Sequence, residues 1–238
     1  IPKVRNVILD KRLPGVETFK FPSNCPICGS AIVQETDDST LRCMGGMKCS
    51  AQAIEKIVHF VSRKAFNIDG FGKKIVESFF LNGWLKDPGD IFGLKKNHGS
   101  GSVMELKDCD GWGMQSVSKL FMAIDNSRSI SLSKFIYALG IRHVGEQCSI
   151  LLAKHFVSWE SFYYNVTQAK DKSSQEWTNF SSIDGIGERT VLSLVYYFSS
   201  EDSDWIISKL LKEIRIEDFS ISFVGDGPFL NTTIVFTG

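Results

Sequence analysis

The sequence contains no apolar stretch approaching the ~18 uninterrupted residues that a membrane-spanning helix needs. Its apolar runs are short and broken, as Leu192–Phe198 is by Ser193. It lacks an initiating Met and an apolar leader, and begins Ile1-Pro2-Lys3-Val4, so the expectation is a piece of a longer, unexported protein. It lacks an excess of charge, with 27 basic against 27 acidic residues. Charged residues are 23% and hydrophobic residues 43% of 238, near the globular average, which excludes a wholly disordered chain. That length allows one large domain or two to three small ones.

The neutral sum hides a gradient. Residues 1–74 hold 12 basic and 7 acidic groups (+5), residues 75–154 hold 9 and 8 (+1), and residues 155–238 hold 6 and 12 (−6). An anionic partner such as nucleic acid would favour the first two segments, although local imbalances of this size are also common in solvated surfaces.

Cysteine is scarce, and four of the six residues crowd into one short segment: Cys25, Cys28, Cys43 and Cys49, with Cys109 and Cys148 isolated. Two thiols separated by two residues form a tight knuckle, and Gly29 can take the positive φ that such a turn needs. The second pair is wider, and Gly45 and Gly46 can supply its extra bend. Ala31-Ile32-Val33 and Thr40-Leu41-Arg42 read as a hairpin around Glu35–Asp38, which is the layout of a zinc ribbon. Four thiolates fill a tetrahedron, so the expected zinc is structural. Two disulfides or free thiols are the alternative. His59, ten residues past Cys49, reads as an ordinary helix residue, and Cys109 and Cys148 as buried thiols.

An internal repeat follows. Asn67–Gly72, Asp108–Gly113, Ile141–Gly145 and Ser182–Gly187 share a glycine-turn pattern, their last glycines 41, 32 and 42 residues apart. Each precedes a helical apolar pattern, and helices such as Ile54–Ala65 and Phe135–Leu139 lead into some of them. The unit is helix, glycine hairpin, helix. Glycine permits a sharp turn and close backbone approach, and unpaired N–H groups at the next helix start suit a phosphate. The expected contacts are Gly70, Gly72, Lys73 and Lys74; Gly111, Gly113 and Lys119; Arg142 and Gly145; and Gly185, Gly187 and Arg189. The third copy has His143 in place of the first glycine, and the fourth has Glu188 beside Arg189. A copy that only packs the domain is the competing reading for each.

The five tryptophans are scattered, so core packing is their expected role rather than a base-stacking platform. Lys95–Ser102 and Lys170–Ser174 read as loops, and Asp218–Pro228 as a linker.

A four-cysteine ribbon followed by four helix-hairpin-helix motifs resembles bacterial NAD-dependent DNA ligases. The resemblance is carried by Phe21–Ser30 with its wide second cysteine pair, by His59–Ala65, and by Tyr137–Gly145. The start is similar to the end of that family's oligonucleotide-binding domain, and Thr233–Gly238 to the first strand of its BRCT domain. The expected fold is mainly α, a small zinc ribbon and a four-motif helical domain, with short β segments at both ends. The expected division is 1–20, 21–52 (zinc finger), 53–217 (helix-hairpin-helix) and 218–238. The resemblance implies a bacterial cytoplasmic, nucleoid-associated monomer. It would grip nicked double-stranded DNA through backbone phosphates, so that the parent enzyme can join 5′-phosphate and 3′-hydroxyl ends in replication and repair. The family's Lys-x-Asp-Gly motif is not found at the repeat turns: three residues before Gly70, Gly111 and Gly185 stand Asn67, Asp108 and Ser182. The adenylation domain, with its NAD and magnesium, is therefore expected upstream, and no residue here is expected to be catalytic. A non-enzymatic repair scaffold and a purely structural zinc module are the rival readings.

Overall fold

The structure, a computed structural model, describes residues 2, 3, 5–34 and 40–220. The turn expected at Glu35–Asp38 and the strand expected at Thr233–Gly238 lie outside the described residues. Two compact units meet between Ser50 and Ala51, covering residues 1–50 and 51–238.

The first unit has little core. Leu9–Lys11 forms a 3-10 turn that buries nothing, and Leu13, Phe19 and Phe21 are exposed. Its ordered centre is a hairpin of β1 (Ile32–Gln34) and β2 (Leu41–Cys43), antiparallel with Ile32 opposite Cys43, and a bridge between Asn24 and Ala31 extends it. Strands of three residues bury too little to stand alone.

The second unit is helical. Its described residues form α1 (Ser50–Val61, starting at the junction), α2 (Lys73–Leu81), α3 (Leu94–His98), α4 (Met114–Asn126), α5 (Leu132–Ala138), α6 (Glu146–Phe156), α7 (Trp159–Gln168), α8 (Gln175–Ser181), α9 (Glu188–Phe198) and α10 (Glu201–Leu210). Apolar spacing explains them: α1 buries Ala53, Ile57, Phe60 and Val61, α4 buries Leu120, Phe121 and Ile124, and α9 buries Val191, Leu194 and Phe198, each on one face. Lys95–Ser102, expected as loop, is helical in its first part, because Leu94 is fully buried and anchors the charged turn after it.

Phenylalanine dominates the core. Phe60 stacks on Phe66 at 4.0 Å, Phe66 meets Phe135 edge-on at 6.4 Å, and Phe135 meets Trp159 at 5.0 Å. A second cluster of Phe156, Phe162, Phe180 and Phe198 continues from Trp159. One aromatic chain thus links the early helices to the late ones. The tryptophans only partly follow expectation: Trp159 and Trp177 are buried, Trp84 and Trp112 half-buried, and Trp205 exposed, with Lys209 Nζ 4.7 Å above its ring.

Two polar links close the unit. β3 (Ser129–Ser131), in mid-chain, pairs in parallel with β4 (Arg215–Glu217); with β1 and β2, short strands lie early in the described chain and, with β4, near its end. Beside them Arg128 donates to the Phe92 carbonyl at 3.0 Å and to Glu213 Oε2 at 2.7 Å. Lys209 on α10 reaches Asp87, the N-cap of the 3-10 segment Pro88–Gly93, at 3.0 Å and Asp90 within that segment at 2.5 Å. Asp87 is only 4% exposed, and its charge is tolerable because Lys209 and the Gly89 amide meet it.

Candidate metal centre and nucleic-acid interface

The four sulfurs of Cys25, Cys28, Cys43 and Cys49 all lie within 4.8 Å of one another. A zinc tetrahedron with bonds of ~2.3 Å has sulfur–sulfur edges of about 3.8 Å, so the cluster matches such an ion. Local backbone sets this up. Gly29, at φ +72°, lets its own amide return to the Cys25 carbonyl at 2.8 Å, and the Cys25 amide reaches Ser30 O at 2.8 Å. β2 delivers Cys43. A 3-10 turn, Gly46–Lys48, then fills the wide spacing and brings Cys49 in just before α1. Gly45 passes so close that a Cβ there would lie 2.8 Å from Cys28 Sγ and 3.2 Å from Cys49 Cβ. Its amide donates to Cys43 Sγ at 3.2 Å.

Two of the thiols shift in opposite directions. Hydrogen bonds from the Ser30 side chain and amide push the Cys28 thiol down to about 6. Cys43 moves the other way, to about 11: the Gly45 amide favours its thiolate, but burial and the Cys28 and Cys25 sulfurs outweigh that. The Cys28 and Cys43 sulfurs are 3.4 Å apart, close enough to hydrogen-bond. All four positions are thiols, so a bound ion has no open position for a substrate.

The repeats share one backbone solution. Phe71, Trp112, Val144 and Ile186 each donate an amide to the carbonyl three residues back, at 3.3, 3.0, 3.1 and 3.0 Å. The third residue of each turn has positive φ: Gly70 +78°, Gly111 +79°, His143 +62° and Gly185 +86°. That is the demand of a type II turn. The position that needs glycine's conformational freedom is therefore the first of the two glycines. His143 keeps the same turn without being glycine. Apolar ends such as Ile68, Phe71, Ile141, Val144, Ile183 and Ile186 are buried and pin the loops to the core.

The second glycines do something else. Gly72, Gly113, Gly145 and Gly187 are extended, and each is the N-cap of the following helix, α2, α4, α6 or α9. The N-cap glycine gives none of these four helices a side-chain cap, although in α4 the Ser116 hydroxyl accepts from the Gly113 amide at 3.0 Å, and a Cβ on any of these glycines would meet nothing within 4 Å. By contrast, Ser158 caps α7 and Ser174 caps α8 through their hydroxyls. The four repeat helices thus begin without the hydroxyl cap on the N-cap residue that α7 and α8 have. In the second copy the leading element is a 3-10 turn, Leu106–Asp108, rather than an α-helix, because only Leu106 there is buried.

Charge around the turns is uneven. Lys74 and Lys119 are exposed. Lys73 is held by Glu55, whose hydrogen bond raises the lysine above its ordinary value. Arg142 is half-buried and Arg189 exposed. Two pairs that the sequence did not disclose stand at the later hairpins: Lys64 with Glu146 at 2.6 Å, and Lys172 with Glu188 at 2.5 Å. The Glu146 hydrogen bond raises Lys64, and the Lys172 hydrogen bond lowers Glu188. The first turns of α2 and α4 carry no acid, whereas α6 and α9 begin on Glu146 and Glu188. His59 is no ligand: its Nε2 lies 2.8 Å from the Tyr137 carbonyl. Cys109 and Cys148 are half-buried rather than fully buried. Among the described residues no helix is long and apolar enough to cross a membrane.

Comparison with known proteins gives two domain matches. The NAD-dependent DNA ligase C4 zinc finger domain matches residues 24–51, and a helix-hairpin-helix motif matches residues 134–207. A DNA ligase of Dinoroseobacter shibae is 43% identical over 238 residues, all of this chain and 32% of the relative. DNA ligases of Roseobacter denitrificans and Cereibacter sphaeroides are 41% and 42% identical, again over all of this chain and 34% of each relative. The chain spans about a third of the length of the relatives it matches.

Proposed function

We propose that the chain, whose residues 24–51 match the NAD-dependent DNA ligase C4 zinc finger domain and whose residues 134–207 match a helix-hairpin-helix motif, is the part of such an enzyme that grips nicked duplex DNA. The observation that carries the reading is the set of four equivalent turns that each end in a bare glycine N-cap. Nothing inside the protein requires glycine there, so the missing side chain leaves room for an external group. An anion gains most from the position, because helix-start amides and the positive end of a helix dipole meet it together. A DNA phosphate fits, and contacts of that kind fix position without reading bases.

Gly72 and Gly113, with Lys74 and Lys119, are the primary contacts in this reading. Gly145 and Gly187, with Arg142 and Arg189, complete the grip. The turn glycines Gly70, Gly111 and Gly185 shape the loops. Zinc on Cys25, Cys28, Cys43 and Cys49 makes the first unit a rigid spacer by replacing the core it lacks. Adenylation with NAD and magnesium, and the joining of 5′-phosphate to 3′-hydroxyl, belong to other parts of the parent enzyme in this reading.

The test is binding of the 238-residue chain to a labelled nicked duplex across salt concentrations. Lys74→Gln and Lys119→Gln should each weaken binding and flatten the slope of log affinity against log salt by about one unit, alike for unrelated sequences. Folded variants with unchanged affinity and slope would refute the phosphate reading.

A further inference from the structure

Three of the four hairpins share a feature that phosphate binding alone does not require. The first helical residue after the bare glycine is one partner of an exposed ion pair. In the first copy Lys73 pairs with Glu55 of α1, in the third Glu146 pairs with Lys64 of the loop after α1, and in the fourth Glu188 pairs with Lys172 of the loop before α8. The second copy differs, since α4 begins on Met114, 77% exposed, with no acid in its first turn. The sequence separations are 18, 82 and 16 residues, so no single local motif generates the three pairs.

Resting on the DNA-grip reading, we propose that Glu55, Glu146 and Glu188 are internal stand-ins for phosphate, each holding a hairpin lysine in the DNA-free chain and yielding it when a phosphate arrives. A carboxylate and a phosphate oxygen make the same kind of charge-assisted hydrogen bond to an ammonium group. At α6 and α9 the carboxylate also sits on the first residue of the helix, where a negative charge is favoured and a phosphate would be placed. Pairs between exposed side chains are weak and screened by salt, so exchange for a phosphate is easy in either direction. The lysines are thereby kept oriented, while affinity is held below what the same cations would give unopposed. For a protein that must leave its duplex after sealing, that weakening favours release. Lys64 and Lys172 become DNA contacts in this scheme.

The experiment compares nicked-duplex affinity of the full 238-residue chain with that of Glu55→Gln, Glu146→Gln and Glu188→Gln, and with Glu160→Gln on α7 as a control of equal charge change. Each hairpin variant should bind about 2- to 5-fold more tightly at low salt, with a salt slope steeper by about one unit because one more lysine releases a counterion. Glu160→Gln should match the parent chain. Lys64→Gln should weaken binding although its lysine is paired in the free protein. Thermal melts establish that every variant is folded. Unchanged affinity in the glutamate variants, while Lys74→Gln and Lys119→Gln weaken binding, overturns this inference alone. Equal tightening by all four glutamate variants also overturns it, since that is a net-charge effect. If the lysine variants are silent as well, the DNA-grip reading falls and takes this inference with it.

Discussion

The two glycines of one hairpin should fail in opposite ways. Gly70 stands at φ +78° with open space around it, so Gly70→Ala meets no clash but forces an L-residue into the left-handed region. The cost is about 1–2 kcal/mol, which lowers the melting temperature by roughly 2–8 °C for a chain of this size. Gly72 is extended at φ −73°, ψ 168°, and also open. Serine is at least as good as glycine at an N-cap, so Gly72→Ser should leave stability unchanged or raise it by a few tenths of a kcal/mol. The new hydroxyl, however, accepts from the amides that a phosphate would use. A hydrogen bond to a charged group contributes about 1.5–3 kcal/mol, so the loss of one such contact weakens DNA binding roughly 10- to 100-fold. Differential scanning calorimetry and fluorescence anisotropy on a nicked duplex measure the two effects separately. The reasoning is refuted if Gly72→Ser melts as far below the parent as Gly70→Ala, or if folded Gly72→Ser binds DNA like the parent.

Native mass spectrometry should find one zinc per chain. Gly45→Ala, whose Cβ would press on Cys28 Sγ, should lower metal affinity by about 10- to 100-fold; metal-free protein that retains the β1–β2 hairpin by amide exchange would contradict the dependence of that hairpin on the ion. Burial pushes the Cys148 thiol up to about 11, so only about one molecule in a thousand is thiolate at pH 8. Its alkylation rate, mapped by peptide mass, should climb about tenfold per pH unit up to pH 10, and a flat profile would be inconsistent with that burial. Lys209→Met strands Asp87 and Asp90 and should cost about 2–3 kcal/mol at pH 7, less than a fully enclosed pair because Lys209 is partly exposed. Burial already raises Asp87, whereas Asp90 is pushed up by burial but held below its ordinary value by Lys209 and nearby amides. A lowered Asp90 supplies stability that disappears as pH falls through its folded value, below the usual carboxylate range. Without Lys209 both acids protonate more readily, so the deficit should shrink between pH 7 and pH 4; a constant deficit in chemical-denaturation curves would rule this out.

The cysteine spacing foretold the cluster of four sulfurs, since the knuckle, the strand that delivers Cys43 and the bends at Gly45 and Gly46 all follow from local geometry. The hairpins were legible as repeats, but the division of labour between their glycines was not. Both positions read as glycine, and only the φ values separate the turn residue from the cap. His143 was the available clue, because a repeat tolerates a side chain only where the backbone can be strained into shape by its surroundings. The ion pairs at the hairpins and the Lys209 cluster were invisible for a simpler reason. Lys64 and Glu146 are 82 residues apart, and Lys209 and Asp87 are 122 apart, and no local pattern ties an ordinary surface charge to one particular partner at that distance. The short helix α3 was obscured by its lysines, which mask the single buried leucine that anchors it.

The parallel pairing of β3 with β4 has a consequence for how the chain is made. Ser129 meets Glu217 although the two are 88 positions apart, and everything from α5 to α10 lies between them. The entropy of closing so long a loop must be met before this small ladder gives anything back. β3 therefore leaves the ribosome with its partner unsynthesised, and Ile130 waits uncovered until the intervening helices have collapsed and carried Ile216 to it. The pairing is a late event that seals a nearly finished domain, and a nascent chain stopped before Arg215 would present an open strand edge to its neighbours.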